Sequence, residues 1–133
     1  MSTNINMPDE AFQLLLDACP AFRPHLETTR KAFYSYGNPP DRLDPYFDVA
    51  WINSFMVGLV QRQETGCFPT VFALLERLLV AGSDDVQNWV VVGMLEGLQN
   101  QVSHTKLTYA VFEPWLGPKT REEWDGLIEA WGG

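Results

Sequence analysis

Apolar residues recur with helical spacing along most of the chain. The first stripe consists of Phe12, Leu15, Leu16 and Cys19, which fall at i, i+3, i+4 and i+7, the period of one helix face. Similar stripes follow Pro24, Pro45 and Pro69, and proline suits the first turn of a helix. Asp44 is placed to cap the helix that begins at Pro45. The pattern therefore predicts amphipathic helices joined by short turns.

Segment 83–102 is the most apolar stretch and is predicted to be the central helix. Ser83 is a suitable N-cap, and Asp84 and Asp85 place carboxylates where they favour the helix dipole. The following apolar residues leave no broad polar face, which is typical of a helix in the middle of a protein. The run is too short and too interrupted to cross about 30 Å of hydrocarbon. Gly93 and Gly97 predict a low ridge where a neighbouring backbone packs closely.

The C-terminal part has a weaker pattern. Segment 105–113 fits a short helix or a strand, and its apolar spacing favours the helix. Thr120 is predicted to cap the last helix and to form a capping box with Glu123. Together the stripes predict an all-α protein, a compact bundle of six to seven helices with mostly antiparallel neighbours. Residues 1–7 are predicted to form a flexible tail, and residues 8–133 a single helical domain.

The chain is acidic. Its 133 residues carry 9 cations and 17 anions, a formal net charge of −8. Such a surface repels nucleic acid and anionic membranes and attracts a basic partner, although acidity that only aids solubility is an open alternative. Cys19 and Cys67 have no metal or redox spacing, and segment 1–7 lacks the features of a signal peptide. We therefore expect a cytoplasmic protein that binds neither nucleic acid nor a membrane.

Catalytic and metal-binding motifs are missing from the sequence. The two histidines, His25 and His104, form no HExxH motif, and no Glu is followed by His three residues later. Paired CxxC motifs, a G-x-S-x-G elbow and a glycine-rich phosphate loop are absent as well. The sequence therefore predicts a protein that is not an enzyme and that carries no metal or other cofactor.

Two acidic groups are candidates for partner binding. The first group consists of Asp41, Asp44, Asp48, Tyr36 and Tyr46. The second group lies on the last predicted helix and consists of Glu122, Glu123 and Asp125. Aromatic side chains supply contact area at interfaces, and carboxylates steer and pair with Arg or Lys of a partner. Helix capping and dipole effects explain part of both groups, so a purely structural role stays open.

Other functions also remain open. The protein fits a helical adaptor or regulatory subunit, which needs no chemistry of its own. It also fits a small-ligand-binding protein or enzyme that uses Glu96 or His104 in a helix-lined pocket. Glu96 interrupts the apolar surface of the central helix, where a carboxylate at the rim or paired with Arg is the simpler interpretation.

A resemblance makes the binding hypothesis more specific. The motif Leu95-Glu96-Gly97-Leu98-Gln99-Asn100 is followed by Leu116-Gly117-Pro118 and by a helix that contains Trp124 and Trp131. Over residues 45–131 the chain resembles a family of short, acidic, mostly helical bacterial proteins of uncharacterised function, and these resemble the immunity proteins of polymorphic toxin systems. The resemblance implies a cytoplasmic protein that neutralises one toxin domain by tight binding and does no chemistry. Together with the net charge it predicts an immunity protein that binds a basic toxin domain through an acidic surface.

Overall fold

The computed structural model describes residues 5–35, 37 and 40–131, and its regular elements are all helical within those residues. The α-helices are α1 (Pro8–Ala18), α2 (Phe22–Phe33), α3 (Val49–Gln61), α4 (Phe68–Ala81), α5 (Asp84–Asn88), α6 (Gly97–Ser103) and α7 (Pro118–Ala130). A π-helical segment, Trp89–Glu96, joins α5 to α6, and a 3-10 helix, Tyr109–Trp115, precedes α7. The predicted all-α bundle is confirmed, and segment 109–115 is helical rather than a strand.

The central helix is a continuous rod made of α5, the π-helical segment and α6. Its backbone stays right-handed across both junctions, with φ −62° and ψ −40° at Trp89 and φ −63° and ψ −40° at Glu96. The Ser83 hydroxyl accepts a hydrogen bond from the Val86 amide at 3.2 Å, so the predicted cap is confirmed. Most of the rod's apolar side chains are buried, but Val92 is 43% exposed. The rod therefore has one open side.

Helix α3 packs on the central helix where that helix contains Gly93 and Gly97. Asn53 of α3 is buried, and its Nδ2 donates a hydrogen bond to the carbonyl of Gly93 at 2.7 Å. A Cβ atom added at Gly97 would overlap Asn53 Nδ2 and would lie 3.3 Å from its Cγ. The predicted close approach at these glycines is therefore made by a buried amide side chain and not by a neighbouring backbone.

Helix α3 begins later than the sequence predicts. Its first residue is Val49, and residues 45–48 form a turn instead of the predicted first helical turn. Asp44 caps this turn, since its Oδ1 accepts hydrogen bonds from the amides of Tyr46 and Phe47 at 2.9 and 3.1 Å. The prediction that Asp44 caps a helix starting at Pro45 is thus wrong in its boundary, because the side chain stabilises a turn that precedes the helix.

The first residue and the N-terminal cap of α7 also differ from those predicted. Helix α7 begins at Pro118, so Thr120 is its third residue and is fully buried, and no side chain within α7 caps it. Instead, Glu76 of α4 accepts hydrogen bonds from the amides of Lys119 and Thr120 at 3.0 and 2.8 Å and from the Thr120 hydroxyl at 2.8 Å. The predicted capping box of Thr120 with Glu123 is wrong, because a carboxylate from a neighbouring helix takes its place.

Candidate functional site

Three aromatic rings form an exposed cluster where α2 meets the start of α3. Phe33, Phe47 and Trp51 contact one another with ring centroids 5.3–5.7 Å apart in edge-to-face arrangements. Phe33 is 59% exposed and Phe47 is 46% exposed. Tyr34 continues the cluster, with its ring centroid 4.9 Å from that of Phe33. We call Phe33, Tyr34, Phe47 and Trp51 the aromatic face.

The turn that holds Phe47 is braced by two aspartates. The Asp44 side chain accepts from the amide of Phe47, and the amide of Asp48 donates to the Asp44 carbonyl at 2.8 Å. In return, the Asp44 amide donates to Asp48 Oδ2 at 2.8 Å. Because these hydrogen bonds close the turn in both directions, the direction in which Phe47 points is fixed by local structure.

A buried ion pair ties this turn to α2. Asp48 is 2% exposed, and its Oδ1 lies 3.7 Å from Arg30 Nε. Arg30 also donates from Nη2 to the carbonyl of Pro40 at 2.6 Å, so one side chain of α2 contacts both ends of segment 40–48. A buried charge requires a partner of the opposite sign, which makes Arg30 and Asp48 mutually dependent.

The structure separates the first predicted group into exposed and buried members. Asp41, Asp44 and Tyr46 are exposed, and Asp44 contacts the backbone of Phe47 in the aromatic face. Asp48, predicted to contact a partner, is buried and instead stabilises the turn, so it does not belong to the contact surface. Tyr36 lies outside the described residues. The Tyr46 hydroxyl accepts from Asn88 Nδ2 at 3.2 Å, which links the segment to the central helix.

A cleft of about 570 Å³ adjoins the aromatic face. Its walls include Tyr34, Arg42, Leu43, Asp44 and Tyr46. Arg42 pairs with Asp9 of α1, and both side chains reach solvent. The hydrogen bond and the charge of Asp9 raise the pKa of Arg42. The cleft thus has aromatic walls and charged groups at its edge, features that suit contact with a protein chain.

The second predicted group forms an ion-paired helix surface. Glu122 lies 3.5 Å from Lys119, and Asp125 lies 3.8 Å from Arg121, at i,i+3 and i,i+4 spacings within α7. Glu123 is half-buried. Exposed pairs of this kind contribute little energy, but they compensate the negative charge locally. The group therefore offers a basic partner less free charge than the sequence suggests.

Only one of the two residues of the alternative hypothesis lines a cleft. Glu96 is half-buried and lines an open cleft of about 510 Å³ beside the central helix. His104 follows the last residue of α6, is exposed, and is not among the described residues that line this cleft. The part of the hypothesis that uses Glu96 therefore has a cleft to support it, whereas His104 lies outside the lining of that cleft.

The sequence pattern did not predict that the rings of the aromatic face are exposed. Phe33, Phe47 and Trp51 fall on the apolar stripes, so the periodicity assigned them to buried helix surfaces. In the structure α2 covers only one side of α3, and the rings lie at the edge of that contact. The only local signal of a surface role is the position of Phe47 and Trp51 in the sequence. They are four residues apart and follow or flank the acidic residues Asp41, Asp44 and Asp48.

The aromatic surface continues along α3 toward a histidine. The His25 ring stacks on Phe55 at 4.2 Å between centroids, and Arg62 lies 6.0 Å from the centre of the Phe55 ring. Burial lowers the pKa of His25 and the charge of Arg62 adds to this, although a hydrogen bond with the Trp51 backbone opposes them. His25 therefore favours its neutral form, and it packs as an aromatic ring.

The two thiols are free and lie next to each other. Cys19 is buried at the end of α1, and Cys67 is half-buried at the start of α4. Burial raises the pKa of the Cys67 thiol to about 12, and its hydrogen bond with Cys19 adds to this effect. A thiol that stays protonated is a poor nucleophile and a poor metal ligand. Cys67 is therefore a poor candidate for catalysis.

Within residues 5–35, 37 and 40–131, no group of three or more His, Cys, Asp or Glu side chains is arranged to hold a metal ion. None of the helices in that part of the chain is long and apolar enough to cross a membrane.

Comparison with known proteins finds one family. The model of the family described as Domain of unknown function (DUF7674) matches residues 12–132. No curated protein and no solved structure matches the chain. The match begins within α1 and extends past α7, so it includes the aromatic face and the cleft at Glu96. The chain therefore belongs to the family described as Domain of unknown function (DUF7674).

Proposed function

We propose that the protein is a protein-binding module whose aromatic face docks a basic segment of a partner protein. The observation that carries this proposal is the exposed cluster of Phe33, Phe47 and Trp51 on a braced turn. Contiguous apolar surface that faces water is unfavourable in a monomer, and large aromatic side chains dominate the energetics of many interfaces. A face of this kind is most simply explained by a partner that covers it.

The charges beside the aromatic face favour a basic partner. Asp44 is exposed at its edge and Asp41 is exposed three residues earlier in the chain, while the nearby cations Arg30 and Arg42 are already paired with carboxylates. Arg or Lys side chains of a partner would gain ion pairs with the aspartates and cation–π contacts with the rings. The overall charge of −8 would steer such a partner toward the protein and would make association slower at high salt.

The more specific proposal is an immunity protein that neutralises a basic toxin domain through this surface. The acidity of the chain and the family resemblance described above support it. A helical adaptor would use the same surface with another partner. The two roles differ in outcome: an immunity protein restores growth when it is co-expressed with the toxin encoded beside it, whereas an adaptor does not.

The experiment identifies a partner and then tests the face. Proteins cross-linked to the tagged protein in its native cells are identified, purified, and titrated against the wild type by calorimetry. The variant F33A/F47A should weaken binding by about 2 kcal/mol or more, roughly thirtyfold, because truncated aromatic anchors are the costliest losses at interfaces. The control Val80→Ala removes an apolar side chain that is 69% exposed on α4 and should change little.

Two results would contradict the proposal. One is a purified partner that binds F33A/F47A as tightly as the wild type. The other is a partner whose contact surface, mapped by cross-links, carries no Arg or Lys near the aromatic face. Circular dichroism of the variant shows whether the fold is retained, which separates lost contact from lost structure.

A further inference from the structure

The open side of the central helix forms a second candidate site, away from the aromatic face. A cleft of about 510 Å³ lies between the rod and the C-terminal part of the chain. Its lining includes Val92, Glu96, Gln99, Asn100, Tyr109 and Trp131. This volume falls within the range of about 300–1,000 Å³ that is usual for small-molecule sites. The cleft is therefore large enough for a compact organic molecule.

Of the residues that the structure describes, the one charged group that lines the cleft favours a positively charged ligand. Glu96 is the only charged residue among the described residues that line it, and no ion pair or hydrogen bond of its side chain is found within the described chain. Trp131 is 65% exposed at the edge, and Tyr109 is half-buried. A carboxylate beside aromatic rings is the combination that binds organic cations, through charge and cation–π attraction.

A buried acceptor without a partner points to the same ligand chemistry. Gln99 is 2% exposed, and its Nε2 donates to the carbonyl of Trp124 at 3.1 Å. Its Oε1 atom is buried and has no hydrogen-bond partner among the described residues. An acceptor left without a donor costs about 1–3 kcal/mol, so a ligand N–H group that reached it would recover that loss. Within the part of the chain that the structure describes, Gln99 thus has an acceptor without a donor at the wall of the cleft.

The backbone beside the cleft is unusual in the same place. Val92 and Glu96 belong to the π-helical segment Trp89–Glu96, whereas Gln99 belongs to the α-helix that follows. Departures of this kind from the α-helical hydrogen-bond pattern are found frequently at functional sites. The junction between the two helical forms therefore lies at the unpaired Glu96 carboxylate and three residues before Gln99.

We propose that this cleft binds a small organic cation, an ammonium or guanidinium compound with an apolar or aromatic body. Its cationic group lies at Glu96, one N–H donates to Gln99 Oε1, and its body packs on Trp131 and Tyr109. The proposal is independent of the aromatic face and of any protein partner.

The experiment titrates the full chain, labelled with ¹⁵N, with benzylammonium, benzamidinium and tetramethylammonium. Benzyl alcohol serves as the matched neutral compound and benzoate as the matched anion. We expect saturable shifts of the Trp131 indole N–H and of amides in segment 92–103 with the two aromatic cations, and at least about tenfold weaker binding of benzyl alcohol and benzoate. Tetramethylammonium lacks N–H groups and should bind more weakly than benzylammonium.

Variants assign the binding to the proposed groups. Glu96→Gln should weaken benzylammonium binding about tenfold, because it removes the charge and keeps the size. Trp131→Ala should weaken it about two- to fivefold, the range expected for an exposed cation–π contact. Glu10→Gln makes the same change on the exposed side of α1 and is the matched control, which should bind like the wild type.

Three outcomes would overturn the proposal. The first is equal binding of benzyl alcohol and benzylammonium, which would show that charge is not recognised. The second is a set of shifts that lies outside the cleft or does not saturate. The third is Glu96→Gln binding like Glu10→Gln with an intact ¹⁵N spectrum.

Discussion

A methyl group added at Gly97 should destabilise the protein, although alanine is the better helix former. In an exposed helix interior, Gly→Ala stabilises by about 1 kcal/mol. At Gly97 the new Cβ would overlap Asn53 Nδ2, so the amide must move and break its 2.7 Å hydrogen bond with the Gly93 carbonyl. Loss of a buried hydrogen bond costs about 1–3 kcal/mol, and overpacking costs about 1–3 kcal/mol more. We expect a net loss of roughly 1–5 kcal/mol.

The sign of this effect should depend on Asn53. In an Asn53→Ala background the obstructing amide is gone, so Gly97→Ala retains only its gain in helix propensity of about 1 kcal/mol. Gly126→Ala is the matched control, since Gly126 is an exposed residue of α7 and a Cβ there has no neighbour within 4 Å. It should stabilise the wild type and the Asn53→Ala background by the same amount, about 0.5–1 kcal/mol.

Urea unfolding followed by circular dichroism gives the free energies of unfolding for the whole set of variants. A change of 1 kcal/mol corresponds to roughly 3–5 °C in melting temperature for a domain of this size, so the effect is also visible by thermal denaturation. Two results would show that the Asn53 amide is not the obstacle to a side chain at Gly97. One is that Gly97→Ala lowers the free energy of unfolding as much in the Asn53→Ala background as in the wild type. The other is that Gly97→Ala stabilises the wild type as Gly126→Ala does.

Three further predictions concern charged and ionisable groups. Burial would raise the pKa of Glu76, but hydrogen bonds from Thr120 and Lys119 outweigh it and lower that pKa. The contribution of Glu76 to stability should therefore be present above pH about 4.3 and lost as the pH falls through the lowered pKa. In urea unfolding, Glu76→Gln should cost about 1–3 kcal/mol at pH 7 and flatten this dependence on pH. Asp48→Asn leaves Arg30 buried without its counter-charge and should cost about 3 kcal/mol, whereas the exposed control Asp41→Asn should change the unfolding free energy by less than about 0.5 kcal/mol. Because the pKa of Cys67 is raised to about 12, the contribution of this thiol to stability should be complete below pH about 8.5 and decline above it. Alkylation of Cys67 at pH 8, followed by mass spectrometry, should be much slower in the native protein than in urea. Equal rates in the two conditions would contradict the raised pKa.

The helices could be predicted because each depends mainly on its own sequence. The stripe of α1 and the Ser83 cap of the central helix are local signals, and both are present in the structure. The starts of α3 and α7 could not be predicted in the same way. Helix α7 is capped by Glu76, 44 residues earlier than Thr120, and a contact over that distance leaves no trace in the local pattern.

The candidate sites were predictable only in part, since periodicity reports whether a residue is apolar and not whether another helix covers it. Helix α3 is apolar on most sides, so its pattern cannot distinguish Trp51 at the edge of the bundle from Ile52 in the core. The acidic residues near Asp44 are neighbours of Phe47 in the sequence, and the role predicted for them in partner binding stays a prediction. Glu96 was likewise singled out by its contrast with its apolar neighbours, and it lines the cleft.

The buried Asp48 connects the interior of the protein to its proposed contact surface. Asp48 and Arg30 hold segment 40–48 against α2, and the amide of Phe47 is fixed by Asp44 within the same turn. An aromatic side chain on a rigid turn loses little conformational entropy when a partner covers it, so more of the contact energy remains as affinity. Conversely, a substitution of the buried Asp48 that makes the turn less ordered should weaken partner binding, although it changes no atom of the proposed contact surface. In the proposed interface the acidic residues of this turn would thus have two roles, since Asp48 orders the turn that holds Phe47 and Asp44 places a negative charge beside it.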